Sequence, residues 1–266
     1  MNAEHQLGNE VKRKLAADEI VLMMSLRQLR TPDAAMIVRE CGFDGFYIDC
    51  EHGTFSSADV SSLCVTALHL GVMPAVRVRS AAPADIAAAL DSGAQAIIVP
   101  HVQNVTDAGA TVRAAKYPPV GGRSFAALGP ATQYRSLPVA EMARLQNGNI
   151  MIIAMLETLE GIDAAGAIAQ VSGIDALMIG PNDLSADMGI PGEVQHTRIQ
   201  DAYFHALDAA RMHGRHFVAG GAGGPDPIDL VERGARILMG SSEVGYLMSA
   251  ASRAATMMRA YDKRAR

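Results

Sequence analysis

Eight short apolar runs recur along the chain and alternate with alanine-rich stretches of helical periodicity. The runs lack the polar alternation of half-exposed strands, which indicates strands covered on both faces and hence a parallel sheet. Eight strand–helix units favour a closed (β/α)8 barrel over an open sheet. The runs are Ile20 to Met24, Gly45 to Ile48, Pro74 to Val78, Ala96 to Val99, Met151 to Leu156, Ala176 to Ile179, His216 to Ala219 and Arg236 to Met239.

Four of these runs are introduced by a Gly-x-x motif, which begins at Gly42, Gly93, Gly173 and Gly234. Such glycines are typical of helices that end in the left-handed conformation before a short loop. The sequence contains no linker, low-complexity tract or domain boundary. We therefore predict one barrel domain over residues 1–266, with an N-terminal helix at about 9–17 and a last helix at about 243–261.

Composition restricts the possible partners. The chain is 49% apolar and has a net charge of −5, so neither nucleic acid nor an anionic membrane is an expected partner. The longest apolar run, Ile150 to Leu156, is far below the ~18 residues of a membrane span, and the N-terminus lacks an apolar leader segment. Three cysteines, an odd number, favour free thiols in a reducing compartment. We expect a cytoplasmic protein.

Polar side chains follow the predicted strands at the points where the strands end. Because the carboxyl ends of barrel strands meet at one mouth, these side chains are expected to share a pocket. They are Asp49, Glu51 and His52 after the second strand, Arg77 at the end of the third, His101 after the fourth, Glu157 after the fifth, and Gly180, Pro181, Asn182 and Asp183 after the sixth.

This set predicts metal-assisted chemistry. Glu157 and Asp183 provide oxygen ligands for a hard divalent ion such as Mg²⁺ or Mn²⁺. Arg77 is placed to bind a developing oxyanion. His52, oriented by Asp49 three residues earlier, is a candidate general base.

Each residue also has a structural interpretation. The Asp49–His52 pair is compatible with a loop cap, and Glu157 with the start of a helix. Arg77 is compatible with an ion pair to Asp49 inside the barrel. For His101 the structural role is the more frequent one. It is the grouping of these residues at successive strand ends that favours function.

The motifs resemble those of the HpcH/HpaI family of metal-dependent, class II pyruvate aldolases, from about Val11 to Met258. The matching segments are GFDGFYIDCEHG (42–53), PAVRV (74–78), LDSGAQAIIVPHVQN (90–104), YPPVGGRS (117–124), ETLEG (157–161) and GIDALMIGPNDLS (173–185). Their order and spacing make the resemblance specific.

The resemblance implies a (β/α)8 barrel whose last helix is swapped between subunits, in a homo-oligomer built as a trimer of dimers. It implies Mg²⁺, Mn²⁺ or Co²⁺ bound by Glu157 and Asp183. Arg77 would hold the keto oxygen of pyruvate.

The family also implies roles around these groups. The His52–Asp49 dyad would transfer the proton, and Asp91 would reach a neighbouring subunit's site. The backbone amides of Asn182 and Asp183, which follow Gly180 at a helix start, would bind the pyruvate carboxylate.

Three positions depart from the family pattern. Met155 replaces a usual Gln, Glu243 replaces a usual Asp, and the segment 24–30 lacks a common Trp and offers Arg27 and Arg30 instead. Arg27, Arg123 and Ser124 are candidates for binding an acceptor aldehyde that carries a carboxylate or hydroxyls. The alternative for each is a surface or loop-fixing contact. The loop at 117–132, rich in Gly and Pro, is expected on the functional side of the barrel.

We therefore predict a lyase that reversibly cleaves a 4-hydroxy-2-oxo acid to pyruvate, or a close 2-oxo acid, and an aldehyde. A Schiff-base mechanism would need a lysine at the mouth. Lys116 is the only lysine near a predicted strand end and is predicted to belong to a helix, which argues against that mechanism. The alternatives are a carbon–carbon lyase acting on an acyl-CoA thioester such as malyl-CoA, and a non-catalytic barrel scaffold.

Overall fold

A computed structural model describes residues 7–126, 128–221 and 223–262 of the chain. Eight parallel strands form a closed barrel in sequence order, and β8 pairs with β1 to complete it. The predicted (β/α)8 fold is confirmed. The strands are β1 (Val21–Leu26), β2 (Gly45–Asp49), β3 (Met73–Arg77), β4 (Ala96–Val99), β5 (Met151–Leu156), β6 (Ala176–Ile179), β7 (His216–Gly220) and β8 (Ile237–Ser242).

Helices connect the strands and surround the barrel. They are α1 (Glu10–Ala16), α2 (Asp33–Glu40), α3 (Ser57–Leu70), α4 (Pro83–Asp91), α5 (Val105–Ala115), α6 (Val139–Asn149), α7 (Leu159–Asp163), α8 (Ala165–Gln170), α9 (Pro181–Asp187), α10 (Thr197–Met212), α11 (Pro227–Glu232) and α12 (Glu243–Asp262), with a short 3₁₀ turn at Pro130–Thr132.

Three predicted strands, the fourth, fifth and sixth, have the bounds that the apolar runs gave. Strands β1 and β8 extend further, to Leu26 and Ser242, because their last residues include serines that an apolar run does not reveal. Ser25 pairs with Ser242 across the closing seam of the barrel. The glycines of the four Gly-x-x motifs all have positive φ, between 84° and 104°, as the sequence predicted.

The inside of the barrel is filled below and open above. Its buried cluster contains several methionines, among them Met23, Met73 and Met151, whose flexible side chains fill irregular space. Helix α1 covers the lower end with Val11 and Leu15, both buried. Space for a ligand therefore lies at the upper end, where the carboxyl ends of the strands meet.

The loop at 117–132 lies at the lower end, so its predicted placement beside the mouth is wrong. Helix α5 follows β4 and returns the chain to the opposite end before the loop begins. Lys116, which precedes the loop, donates hydrogen bonds to the carbonyl oxygens of Asn147 and Ile150, just before β5. The chain then passes through the 3₁₀ turn at Pro130–Thr132 and helix α6 before it enters β5, so the loop begins at the end of the barrel opposite the mouth.

Helix α12 is almost entirely exposed in the single chain. Its main contacts within the chain are with β1 and β8. Leu247, Met248, Met257, Met258 and Tyr261 are between 59% and 67% exposed, which is unusual for large apolar side chains grouped on one helix. No helix among the described residues combines the length and apolarity that crossing a membrane requires.

Candidate active site

A cavity of about 600 Å³ opens at the upper end of the barrel. Residues at or just after the ends of seven strands line it, and β4 contributes none. The lining includes Arg27, His52, Arg77, Glu157, Gly180, Asn182 and Asp183. The structure thus brings together most of the side chains that the sequence predicted to meet.

A buried ion pair lies on one wall of the cavity. Arg77 Nε donates to Asp49 Oδ1 at 2.9 Å and Nη2 donates to Asp49 Oδ2 at 2.6 Å, so the guanidinium and the carboxylate form a bidentate pair. Residue 49 pairs with residue 77 in the β2–β3 register, which places the two side chains next to each other. The pair fixes the guanidinium plane of Arg77 and leaves Nη1 for other partners.

Each residue of this pair favours the ionised form of the other. Burial by itself raises the pKa of Asp49, but the hydrogen bonds and positive charge of Arg77 outweigh burial and hold that pKa below its ordinary value. Burial lowers the pKa of Arg77, and the bonds with Asp49 more than reverse this effect. Both residues are therefore ionised at neutral pH.

The predicted contact between Asp49 and the imidazole of His52 is absent. Asp49 Oδ1 accepts a hydrogen bond from the backbone N–H of His52 at 3.2 Å, while the His52 ring is half exposed. The nearest acid to the ring is Glu51, with Oε2 at 3.9 Å from Nε2. Asp49 does not orient the ring; its two oxygens accept from Arg77, and Oδ1 also accepts the backbone N–H of His52.

Glu51 and His101, both expected at the mouth, form a second cluster beside Arg77. Glu51 Oε2 lies 3.0 Å from Arg77 Nη1 without hydrogen-bond geometry, and Glu51 Oε1 lies 3.2 Å from His101 Nε2. His101 Nδ1 lies 3.1 Å from Glu157 Oε2. The His101 ring therefore lies between two carboxylates, within ion-pair distance of each.

The backbone at His101 supports this arrangement. Its φ of 56° is in the left-handed region, which is uncommon for a residue other than glycine. In this conformation its N–H donates to Glu157 Oε2 at 2.9 Å. The positions of His101 and Glu157 after strand ends predicted that both lie at the mouth. The sequence did not reveal that the two side chains are in contact.

Glu157 and Asp183 carry carboxylate oxygens, the kind of donor that a hard divalent ion prefers. Glu157 is 2% exposed, and burial is the main cause that raises its pKa, with the negative charges of Glu51 and Asp183 adding to the effect. A cation beside Glu157 would offset this cost. No group of three His, Cys, Asp or Glu side chains in the described ranges forms a metal cluster. Two carboxylates leave positions for water and substrate, as Mg²⁺ sites commonly do.

Gly180 allows the close approach of Glu157 to the start of helix α9. A Cβ at Gly180 would lie 2.2 Å from Glu157 Oε1, so any other residue would displace the carboxylate. Asn182 and Asp183 occupy the first turn of α9 behind the proline at its start. Their positions match the predicted carboxylate-binding amides, and Asp183 lines the same cavity as Glu157.

The loop after β1 is held by Glu243, a residue to which the sequence analysis gave no role. The backbone N–H groups of Arg27, Gln28 and Leu29 all donate to the Glu243 carboxylate, which is 9% exposed. The sequence marked this position only as a departure from a pattern.

Asp91, Arg123 and Ser124 do not line this chain's cavity. Asp91 ends helix α4 and pairs with Arg123 at 2.5 Å, and Arg123 lies over the ring of Tyr117. Ser124 is exposed on the same loop. A contribution of Arg123 and Ser124 to the mouth of their own barrel is therefore ruled out by their position at its lower end.

Lys116 also lies away from the cavity. It is buried, and burial lowers its pKa to about 8 while it donates to two carbonyl oxygens. These bonds and its position at the lower end leave it unable to form a Schiff base with a substrate in the mouth. Lys116 follows helix α5 as its C-cap instead of belonging to the helix.

Comparisons with known proteins agree on one family. Residues 23–238 match the family described as HpcH/HpaI aldolase/citrate lyase. A 4-hydroxy-4-methyl-2-oxoglutarate aldolase from Chaetomium globosum is 34% identical over 78% of this chain and 78% of its own length. A pyruvate aldolase from Rhizobium etli is 35% identical over 78% of this chain and 80% of its own length. The crystal structure of an HpcH/HpaI aldolase from Desulfitobacterium hafniense superposes with a TM-score of 0.87 at 31% identity, covering 94% of this chain and 96% of that one.

The Asp49–Arg77 pair generates a stability prediction. Asp49→Asn keeps the shape but leaves the buried Arg77 without its main counter-charge, so we expect the free energy of unfolding at pH 7 to fall by about 3 kcal/mol. Because the folded state lowers the pKa of Asp49, the stabilisation is fully present above the ordinary aspartate value of about 3.9 and is lost as the pH falls through the lower folded value. Urea unfolding at several pH values measures both effects.

The matched control is Asp201→Asn, at an exposed position on α10. It should change the free energy of unfolding by less than about 0.5 kcal/mol. Equal stability of Asp49→Asn and wild type at pH 7 would show that the pair does not stabilise the barrel.

Proposed function

The chain belongs to the HpcH/HpaI aldolase/citrate lyase family and is a carbon–carbon lyase of the aldolase type, and from this premise we propose its reaction and cofactor. The reaction is the reversible cleavage of a 4-hydroxy-2-oxo acid to pyruvate, or a close 2-oxo acid, and an aldehyde. The cofactor is a divalent metal ion, Mg²⁺, Mn²⁺ or Co²⁺. The observation that carries the proposal is the fixed guanidinium of Arg77 in the same cavity as Glu157 and Asp183.

Glu157 and Asp183 would hold the metal ion. An ion bound there would supply Lewis-acid polarisation of the substrate's 2-keto oxygen. The backbone amides of Asn182 and Asp183, next to Gly180, provide donors for the substrate carboxylate at the start of α9. These contacts orient the 2-oxo acid end of the substrate toward the β5 and β6 wall.

Arg77 stabilises the negative charge that develops on the keto oxygen. In cleavage, a base removes the proton of the C4 hydroxyl, the C3–C4 bond breaks, and its electron pair becomes the enolate of pyruvate. Protonation of C3 then completes pyruvate, and the C4 fragment leaves as the aldehyde. Arg77 is pre-oriented by Asp49, so it needs no reorganisation when charge develops.

His52 is the proposed proton-transfer residue, with a changed role for Asp49. The His52 ring lines the cavity and is exposed enough to reach a substrate hydroxyl or solvent. Asp49 contributes by holding Arg77 and by accepting the backbone N–H of His52, which places the residue. Asp49 thus supports His52 through the backbone and not through the ring.

The metal assignment predicts the effect of Asp183→Asn. Loss of one of two carboxylate ligands should reduce cleavage more than tenfold and weaken Mn²⁺ binding in calorimetry, while thermal stability stays within about 2 °C. Chelation of the wild type should abolish cleavage and Mn²⁺ should restore it, with pyruvate detected by lactate dehydrogenase.

Asp229→Asn is the matched control. Asp229 occupies the same first-turn position in α11, behind a proline, but does not line the cavity. It should keep both metal binding and activity. Full activity of the chelated wild type, with metal removal verified, would contradict the proposed cofactor.

The proton-transfer assignment predicts a change in the pH profile. An ionisation in the profile of kcat/KM should disappear in His52→Ala, because the group that exchanges the proton has been removed. Binding of pyruvate should persist, since Arg77 remains and so do Glu157 and Asp183, the proposed ligands of the metal ion. His69→Ala, on the exposed face of α3, is the control. An unchanged profile in His52→Ala would place the base elsewhere in the cavity.

The exposed α12 helix supports a proposal that the chain assembles, as a trimer of dimers with this helix exchanged, and that Asp91 then reaches a neighbouring site. Light scattering should give the mass of six 28.0 kDa chains. The substitutions Met257→Glu and Met258→Glu should reduce that mass, because they place charge on an apolar contact. A glutamate at Met212, which is 77% exposed on α10, is the control. A monomeric and fully active wild type would contradict the assembly.

A further inference from the structure

The two carboxylate oxygens of Glu157 have different surroundings. Oε2 accepts a hydrogen bond from the backbone N–H of His101 at 2.9 Å, and His101 Nδ1 lies 3.1 Å from the same oxygen. Oε1 lies toward Gly180, where a Cβ would come within 2.2 Å of it. Gly180 immediately precedes α9, whose first turn contains Asp183. His101 therefore holds one oxygen of Glu157, while the other lies beside the start of α9.

The backbone at His101 is both unusual and anchored. Its φ of 56° is in the left-handed region, and such a conformation at a residue other than glycine is a reason to look for a function. The N–H of the next residue, Val102, donates to the carbonyl oxygen of Met155 at 3.1 Å. This bond ties the segment to β5, the strand that Glu157 directly follows. The N–H of His101 is thus directed at the Glu157 carboxylate.

The ring of His101 is held by charged neighbours and not by packing. Its side chain is 57% exposed, and Glu51 Oε1 lies 3.2 Å from Nε2, the ring nitrogen away from Glu157. Glu51 is itself confined, since its side chain is 10% exposed and its Oε2 lies 3.0 Å from Arg77 Nη1. The residues that line the cavity include neither His101 nor Glu51. Both side chains therefore lie behind Glu157, outside the space for the substrate.

We propose that His101 is a positioning residue for the metal site: it holds Glu157 by one oxygen so that the other is presented to a divalent ion, and Glu51 holds the His101 ring. The inference rests on the proposed function and adds two residues that support one of its proposed ligands. Partners of this kind orient a ligand before the ion binds, and their loss typically lowers metal affinity about 10–100-fold.

The first test is His101→Asn. Asn tolerates the left-handed backbone, so the variant keeps the N–H to Glu157 and loses only the ring. In calorimetry on the metal-free protein, Mn²⁺ should bind about 10–100-fold more weakly than to wild type. The Mn²⁺ concentration that gives half-maximal cleavage should rise by the same factor. His52→Asn is the matched control, because its imidazole lies beside Glu51 and lines the cavity. It should lose turnover and keep the Mn²⁺ affinity of wild type.

The second test is Glu51→Gln, which keeps the shape of the side chain and removes its charge. It should weaken Mn²⁺ binding in the wild-type background. In the His101→Asn background it should have less than about a twofold further effect, because its influence passes through the ring. Additive losses in the double variant would overturn the role of Glu51, since its charge would then act on the ion directly.

A comparison of Mg²⁺ with Ni²⁺ separates a positioning role of His101 from a ligand role. Loss of a positioning residue should weaken binding of both ions by similar factors. Imidazole suits Ni²⁺ better than Mg²⁺, so a loss at least about tenfold greater for Ni²⁺ would identify His101 as a ligand and overturn the inference. Unchanged Mn²⁺ affinity of a folded His101→Asn protein would overturn it as well. Absence of Mn²⁺ binding by the wild type would instead overturn the proposed function.

Discussion

The bidentate pair between Arg77 and Asp49 is the interaction on which the rest of the site depends. It is buried at the point where β2 and β3 end, and it holds a guanidinium in a fixed plane beside an open cavity. Desolvation of two charges costs free energy, which the bidentate contact offsets. In the proposed reaction the benefit would be pre-organisation: the cation would already be in place before negative charge develops on the substrate.

The pair also determines what its neighbours do. Asp49 binds Arg77 with both oxygens and contacts His52 only through the backbone, and the His52 imidazole lines the cavity. Glu51 lies on the other side of Arg77 and is linked through His101 to Glu157. Glu157 is thereby held next to Gly180. It is buried, its pKa is raised, and a divalent cation beside it would stabilise its carboxylate.

The barrel fold, and which residues lie at its mouth, can be predicted from the sequence. Continuous apolar runs reveal buried strands, and a barrel brings their carboxyl ends together, so residues such as Glu157 and Asp183 are placed in one cavity without any knowledge of side-chain contacts. Partner choice within the mouth is a different problem. Asp49 had two possible partners, and the β2–β3 register, which spacing along the chain does not encode, decided for Arg77.

Other features escape prediction for related reasons. The contact between His101 and Glu157 requires a left-handed backbone at a residue other than glycine. The contact of Glu243 with three amides depends on the entry of α12 beside the β1 loop, more than two hundred residues away in sequence. The loop at 117–132 was placed at the wrong end because its composition is that of a functional loop, while its position after α5 fixes it below the barrel.

The central claim is that Arg77 stabilises the enolate of pyruvate, and proton exchange tests it without knowledge of the aldehyde. Metal-loaded enzyme and pyruvate are mixed in deuterated water, and loss of the methyl signal is followed by NMR. Arg77→Lys keeps a positive charge but loses the planar, bidentate geometry, so exchange should slow by on the order of 10² or more. Exchange at the wild-type rate in a folded, metal-loaded Arg77→Lys protein would contradict the account and reduce Arg77 to a structural partner of Asp49.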